Sequence, residues 1–216
     1  MTHYSEVATQ LYGSEISVQG ESQKEIAQAE HRLGIPLPRV LREYYHFADR
    51  KTLFNCAHNT LIAPQNLIFE NAPEEILIFY TENQGVVDWE IRKEDFQQDD
   101  PPVYQGRVDD DWYLETSSLN NFLVTMLCWQ GVMGALPYRG TLENSEGSLQ
   151  EIANRIEQNW LEIQQQEQIG DLKIFLNRGQ VICVSGNFNA IFIAARTQSH
   201  FRAIQQILPE IELFEL

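Results

Sequence analysis

The chain is short of positive charge, short of cysteine, and has no long unbroken apolar run. Fifteen Lys and Arg face 31 Asp and Glu, a formal net charge of −16. Such a balance lacks the basic footprint that a phosphate backbone demands, so nucleic acid is not expected as a direct partner. The three cysteines, Cys56, Cys128 and Cys183, are widely separated and form no C-x-x-C pair. Neither a zinc site nor a disulfide framework is implied, and Cys128 and Cys183, set in apolar segments, read as inert core thiols. The longest apolar-rich run, Phe122 to Leu136, is broken by Thr125, Gln130 and two glycines. It falls short of the ~20 residues that a bilayer span needs and reads as a buried helix and its exit. The first twenty residues contain acids but no basic segment leading into an apolar one. No secretory signal is read there, and a cytoplasmic protein without membrane contact is the expectation.

Catalytic signatures are also missing: there is no glycine-rich phosphate loop, no G-x-S-x-G and no H-E-x-x-H. Asp109-Asp110-Asp111 offers oxygens of the kind Mg²⁺ prefers. Successive strand residues point to opposite faces, however, and no second acidic cluster has matching spacing, so the run reads as a solvated loop. Asp88-Trp89-Glu90 places two carboxylates on one strand face with the indole opposite. A carboxylate pair does acid–base work only where its environments split the two pKa values, and no cleft-forming segment accompanies this one. Cys56 and His58 lie two residues apart, but a thiol and its base are normally brought together by the fold rather than by local spacing. His3, His31, His46 and His200 are scattered, the middle two on helix surfaces or edges. A non-enzymatic binding protein without cofactor or metal is the expectation.

What is present is patterning. Apolar residues make up 43% of the 216, enough for a substantial core in one large domain or a domain with an appended module. Ser22 and Glu25 form a capping box, after which Ile26, Ala29 and Leu33 recur at helical steps. Gly34 is placed to end that helix in the left-handed conformation. Pro36 and Pro38 prevent its continuation, and Pro38 suits the first turn of the next helix. That second helix carries Val40, Leu41, Tyr44, Tyr45 and Ala48 on one face. Ile76 to Tyr80 and Val86 to Ile91 read as a hairpin around the turn Glu82 to Gly85, with Val86, Val87 and Ile91 packing against helices. Val103-Tyr104 and Trp112 to Leu114 follow as strands, and Ser118 to Cys128 as a helix. Helices first, then an antiparallel sheet, then a closing helix define an α+β protein.

Gly140 to Gly147 is polar and rich in turn formers, which sets a boundary after residue 139. Residues 1–139 form the core with an N-terminal extension. Residues 140–216 form a C-terminal α-β-β-β-α extension packed on it. There Ser148 and Glu151 make a second capping box. Strand-like runs at Leu172 to Leu176, Val181 to Val184 and Ala190 to Ala195 are separated by turn signals. Thr197 caps a last helix through Phe201, Ile204 and Leu208, ended by Pro209.

The Leu33-Gly34 helix end, Leu37-Pro38, and a helix with the Tyr44-Tyr45 pair resemble the SUKH superfamily, also called the Smi/Knr family. Leu61-Ile62-Ala63-Pro64 is similar to that family's first strand and proline turn, the hairpin at 76–91 to its central pair, and Phe122-Leu123 to the pair on its closing helix. The resemblance covers roughly residues 22–130. One departure is Asp49-Arg50-Lys51, where the family often has Asn-Gly. The resemblance implies a helical hairpin packed on a mostly antiparallel sheet. It also implies protein binding, because bacterial members commonly serve as immunity proteins against polymorphic toxins, many of them nucleases.

Between Glu70 and Glu115, fourteen acidic side chains face three basic ones, net −11 in under a quarter of the chain. Aromatic residues are interleaved with these acids, and Trp and Tyr are favoured interface anchors. The expected partner-binding residues are Asp88, Trp89, Glu90, Asp99, Asp100, Tyr104, Asp109, Asp110, Asp111 and Trp112, with at least one tryptophan given over to the core. Tyr104, Asp109 and Asp110 are expected on a loop, free for contact. The expected partner is a basic toxin domain whose active site or exosite is occluded. The alternative is a regulatory scaffold of the kind linked to fungal cell-wall synthesis and signalling.

Overall fold

A computed structural model describes residues 3–13, 19–71, 75–107, 111–143, 149–163, 171–186 and 188–211. The protein is α+β with antiparallel sheets, and its chain forms two compact units. One is Ser17–Leu123; the other joins Met1–Ile16 to Val124–Leu216. The sequence places a boundary after residue 139; Gly140 lies inside a strand, opposite Ile193, and the two compact units meet in sequence between Leu123 and Val124.

In the unit Ser17–Leu123, helices α2 (Gln23–Leu33) and α3 (Arg39–Phe47) form the expected hairpin. Ser22 Oγ accepts from the Glu25 amide at 3.3 Å while the Glu25 carboxylate accepts from the Ser22 amide at 2.9 Å. This reciprocal cap contributes about 1 kcal/mol to starting the helix. Gly34 ends α2 at φ 73°, a conformation that strains any residue with a Cβ. Pro38 sits one position before the first turn of α3, as its N-cap, and Val40, Leu41, Tyr44 and Tyr45 are buried as the pattern predicts. Both tyrosine hydroxyls find partners: Tyr44 donates to the buried Asn55 Oδ1 and Tyr45 to the Ile62 carbonyl at 2.6 Å.

The sheet of this unit runs β1 (Thr60–Leu61), β3 (Glu75–Thr81), β4 (Asp88–Arg92), β5 (Val103–Gly106) and β6 (Tyr113–Thr116), with β2 (Phe69–Asn71) also on β3. Every pairing is antiparallel. Strand β2 was not read from the sequence. The β3–β4 turn puts Gly85 at φ 68°. Helix α4 (Leu119–Gln130) sends Phe122 into a cluster with Phe79, Tyr80 and Trp89, whose ring centroids lie 5.4–5.6 Å from it.

The second unit contains helix α1 (Tyr4–Tyr12), the later part of α4, helices α5 (Leu149–Asn159) and α6 (Gln198–Ile207), and a five-stranded sheet. Its order is β7 (Tyr138–Glu143), β11 (Ala190–Ala195), β10 (Gln180–Ser185), β9 (Leu172–Asn177) and β8 (Leu161–Glu162). The three strands read from sequence are present, and β7 and β8 extend them. Alternation sorts their side chains. Phe175, Ile182, Ile191 and Ile193 pack under Ile152, Ile156 and Trp160 of the α5 region and Phe201 and Ile204 of α6. On the other face Phe192 meets Trp129 edge-on at 5.3 Å, and the Tyr12 hydroxyl donates to the Leu127 carbonyl at 2.7 Å. Thr197 caps α6 by accepting from the His200 amide at 3.2 Å. The second capping-box serine, Ser148, lies outside the described residues.

Cys128 and Cys183 are buried and all three cysteines are unpaired. No helix among the described residues is long and apolar enough to cross a membrane.

Candidate functional site

Strand β4 is buried on both faces at its three middle residues, and that decides the fate of Asp88-Trp89-Glu90. Strand β4 lies between β3 and β5. Trp89 is 7% exposed, against Tyr80 and Phe122, so it is a core residue. Glu90 points to the opposite face, as alternation requires, yet is 0% exposed. Arg92, two residues on and on the same face, brings Nε to 3.7 Å from Glu90 Oε1. Its guanidinium lies 4.0 Å from the ring centroid of Tyr104, which pairs with Glu90 across the ladder. Tyr104 therefore sits on β5 beneath Arg92 rather than on a free loop. Its burial, with Asp95 nearby, pushes the phenol up from the usual tyrosine range. Glu90, Arg92 and Tyr104 are a structural stack.

Asp99 and Asp100 are committed to joining elements. Asp99 accepts from Arg39 Nε at 2.9 Å, and its carbonyl accepts from the Val40 amide at 2.9 Å, holding the start of α3. Asp100 accepts from Ser118 Oγ at 2.6 Å and from the Asn120 amide at 2.8 Å, holding the start of α4. Negative charge at a helix N-terminus is stabilising, which gives both acids a local purpose.

The remaining described candidates gather at one end of the sheet. Asp88 pairs with Gly106, Asp111 is exposed, and Trp112 is half-buried against Gly106. A Cβ on Gly106 would come within 2.8 Å of the Trp112 ring, so only glycine lets the indole fold down there. Asp109 and Asp110 lie outside the described residues. A groove of about 380 Å³ opens here, lined by Val86, Gln105, Gly106, Arg107, Asp111 and Tyr113 among others. Val86 is 53% exposed and Tyr113 64%, so Val86 does not pack against helices as its sequence context suggests. Leu114, 56% exposed, follows on the other face of β6.

Strand β6 is the last in its sheet, and its outer edge pairs with no strand among the described residues. Glu115 forms a bulge between Leu114, opposite Tyr104, and Thr116, opposite Val103. Burial pushes its carboxyl up to about 7. Tyr113, Leu114 and Val86 were missed as surface residues. The available signal was the run Trp112-Tyr113-Leu114, which on any strand must send apolar side chains to both faces.

The Cys56–His58 idea gains no support from the geometry. Cys56 Sγ lies 3.5 Å from the Thr52 carbonyl and its thiol is pushed up by burial, the reverse of what an activated thiolate needs. His58 Nδ1 contacts the Asn83 side-chain amide at 3.2 Å. Among the described residues no three His, Cys, Asp or Glu side chains converge as a metal site.

The chain matches no family model, no curated protein and no solved structure.

Proposed function

We propose that the protein is a protein-binding immunity protein that captures a basic toxin domain of nuclease type and occludes its active site or an adjoining exosite. One observation carries the reading: a sheet edge that no strand among the described residues covers, with two exposed apolar anchors, Tyr113 and Leu114, set in the segment that holds net −11. Exposed edges invite pairing with another chain, and natural proteins usually blunt them unless they are used. Aromatic anchors ringed by charge are the composition of interface hot spots. The acids around them select a basic partner and speed its encounter. The SUKH-like helical hairpin, its Leu-Gly and Leu-Pro signals and the Phe122-Leu123 helix support the same assignment by resemblance.

The test uses the tagged full chain and basic toxin domains encoded beside its gene. Low-salt capture of such a domain, together with suppression of its nucleic-acid cleavage, is the expected result. A captured domain whose cleavage continues unimpeded, or no binding by any of them, would overturn the proposal.

A further inference from the structure

In a chain with twice as many acids as bases, the unit Met1–Ile16 with Val124–Leu216 holds a cavity of about 720 Å³ whose lining, among the described residues, includes two arginines and no acid. Its wall comes from three places: Thr9 and Gln10 near the end of α1, Asn177 and Arg178 at the β9–β10 turn, and Arg196 and Thr197 between β11 and α6. Backbone hydrogen bonds tie these together. The Gly179 amide donates to the Gln10 carbonyl at 2.9 Å, and the Arg196 amide to the Gly179 carbonyl at 2.8 Å. The Arg196 guanidinium lies over Gly13, where an added Cβ would clash with Nη1.

Among the described residues, neither guanidinium has a carboxylate partner. Arg39, Arg92 and Arg155 all have carboxylate partners, whereas Arg178 and Arg196 form no ion pair among the described residues. Beside them, His200 Nδ1 is buried without a hydrogen bond among the described residues. Its ring would contact a Cβ placed on Gly179, at 2.7 Å from Nδ1. Burial, with Arg196 and Arg178 nearby, holds this imidazole below its ordinary range, so the arginines alone supply the positive charge at neutral pH. Thr197, the N-cap of α6, brings the positive end of that helix to the rim.

We infer that this cavity binds a soluble small molecule carrying a phosphate monoester. Guanidinium forks match phosphate oxygens, and two of them suit a dianion better than a single carboxylate. The volume falls in the ~300–1,000 Å³ range of small-molecule sites and exceeds what a bare phosphate fills. The remainder is lined by the amide and hydroxyl groups of Gln10, Asn177 and Thr197, which fits a hydroxyl-rich body such as a sugar. The inference is independent of the sheet edge in the other unit and survives if that reading fails.

Calorimetric titration of the full chain with ribose 5-phosphate, inorganic phosphate and ribose tests it. Ribose 5-phosphate should bind saturably, at ~1 mM or tighter, and ribose should not. Arg178→Gln and Arg196→Gln should each weaken binding about tenfold, with the unliganded unfolding midpoint of Arg178→Gln unchanged because that side chain is exposed. Failure of both soluble phosphates to bind, or unaltered binding by the doubly substituted chain, would overturn the inference. So would retention on vesicles containing phosphatidic acid without binding of a soluble phosphate, since that would point to a lipid headgroup.

Discussion

Arg92 covers Glu90: its Nε stands 3.7 Å from an oxygen of a carboxylate that has no exposed surface. Removing one member of a buried pair leaves the other charged and poorly solvated, at a cost of about 3–5 kcal/mol. Arg92 is itself 26% exposed, so solvent can enter once it is truncated. Arg92→Ala is therefore expected to cost about 2–3 kcal/mol in urea unfolding. Glu90→Gln, which keeps the side chain's size and can still accept from Arg92, should cost less than Arg92→Ala. The opposite order would mean that the Glu90 side chain does not depend mainly on Arg92.

Neighbouring acids should part company on mutation. Asp100 joins Ser118 and the Asn120 amide at the start of α4, so Asp100→Ala should destabilise by about 1–2 kcal/mol, as loss of a helix cap does. Asp99 pairs with Arg39 in solvent, its side chain 70% exposed, and Asp99→Ala should cost about 0.5 kcal/mol or less. Thermal unfolding of the two variants side by side checks the contrast. Equal losses would show that the Arg39 pair stabilises more than an exposed ion pair normally does.

Local signals were legible in the sequence and non-local ones were not. The Ser22–Glu25 box, the Gly34 stop and the Thr197 cap each depend on residues within a few positions, and all appear where expected. Alternation placed Trp89 and Glu90 on opposite faces correctly. It could not show that both faces of β4 are covered, by Phe122 over Trp89 and by Arg92 over Glu90. Strand β7 was hidden because an edge strand faces solvent and can be polar, so Gly140 resembled a linker. Arg178 and Arg196 are brought to Gln10 in part by the hydrogen bonds of Gly179, at a sequence separation no spacing rule spans.

Glu115 gives the unit Ser17–Leu123 a pH dependence. Burial raises its carboxyl from 4.5 to about 7. The folded chain thus keeps this proton to higher pH than the unfolded chain. The associated stability is full below about pH 4.5 and falls as pH rises through about 7. After allowance for partial solvent contact, Glu115→Gln should gain about 1–2 kcal/mol over the parent at pH 8 and little at pH 4. A constant difference between the variants across that range would rule out titration of Glu115 as the source.

The exposed anchors of β6 should separate binding from folding. Tyr113 and Leu114 are 64% and 56% exposed, so truncating them removes little buried surface, and Tyr113→Ala and Leu114→Ala should change stability by about 0.5 kcal/mol or less. At an interface, aromatic anchors commonly carry 2 kcal/mol or more, so Tyr113→Ala should weaken capture of a basic toxin domain by roughly thirtyfold or more. Asp88→Asn and Asp111→Asn should act differently. They lower the field without removing contact area, so they should reduce the association rate and flatten its fall with salt while changing dissociation little. Stopped-flow association between roughly 0.05 and 0.5 M salt, where the screening length shrinks from over ~10 Å to ~5 Å, distinguishes the two classes. An association rate indifferent to salt would remove the electrostatic half of the proposal. Tyr113→Ala binding as tightly as the parent would remove the sheet edge from the interface.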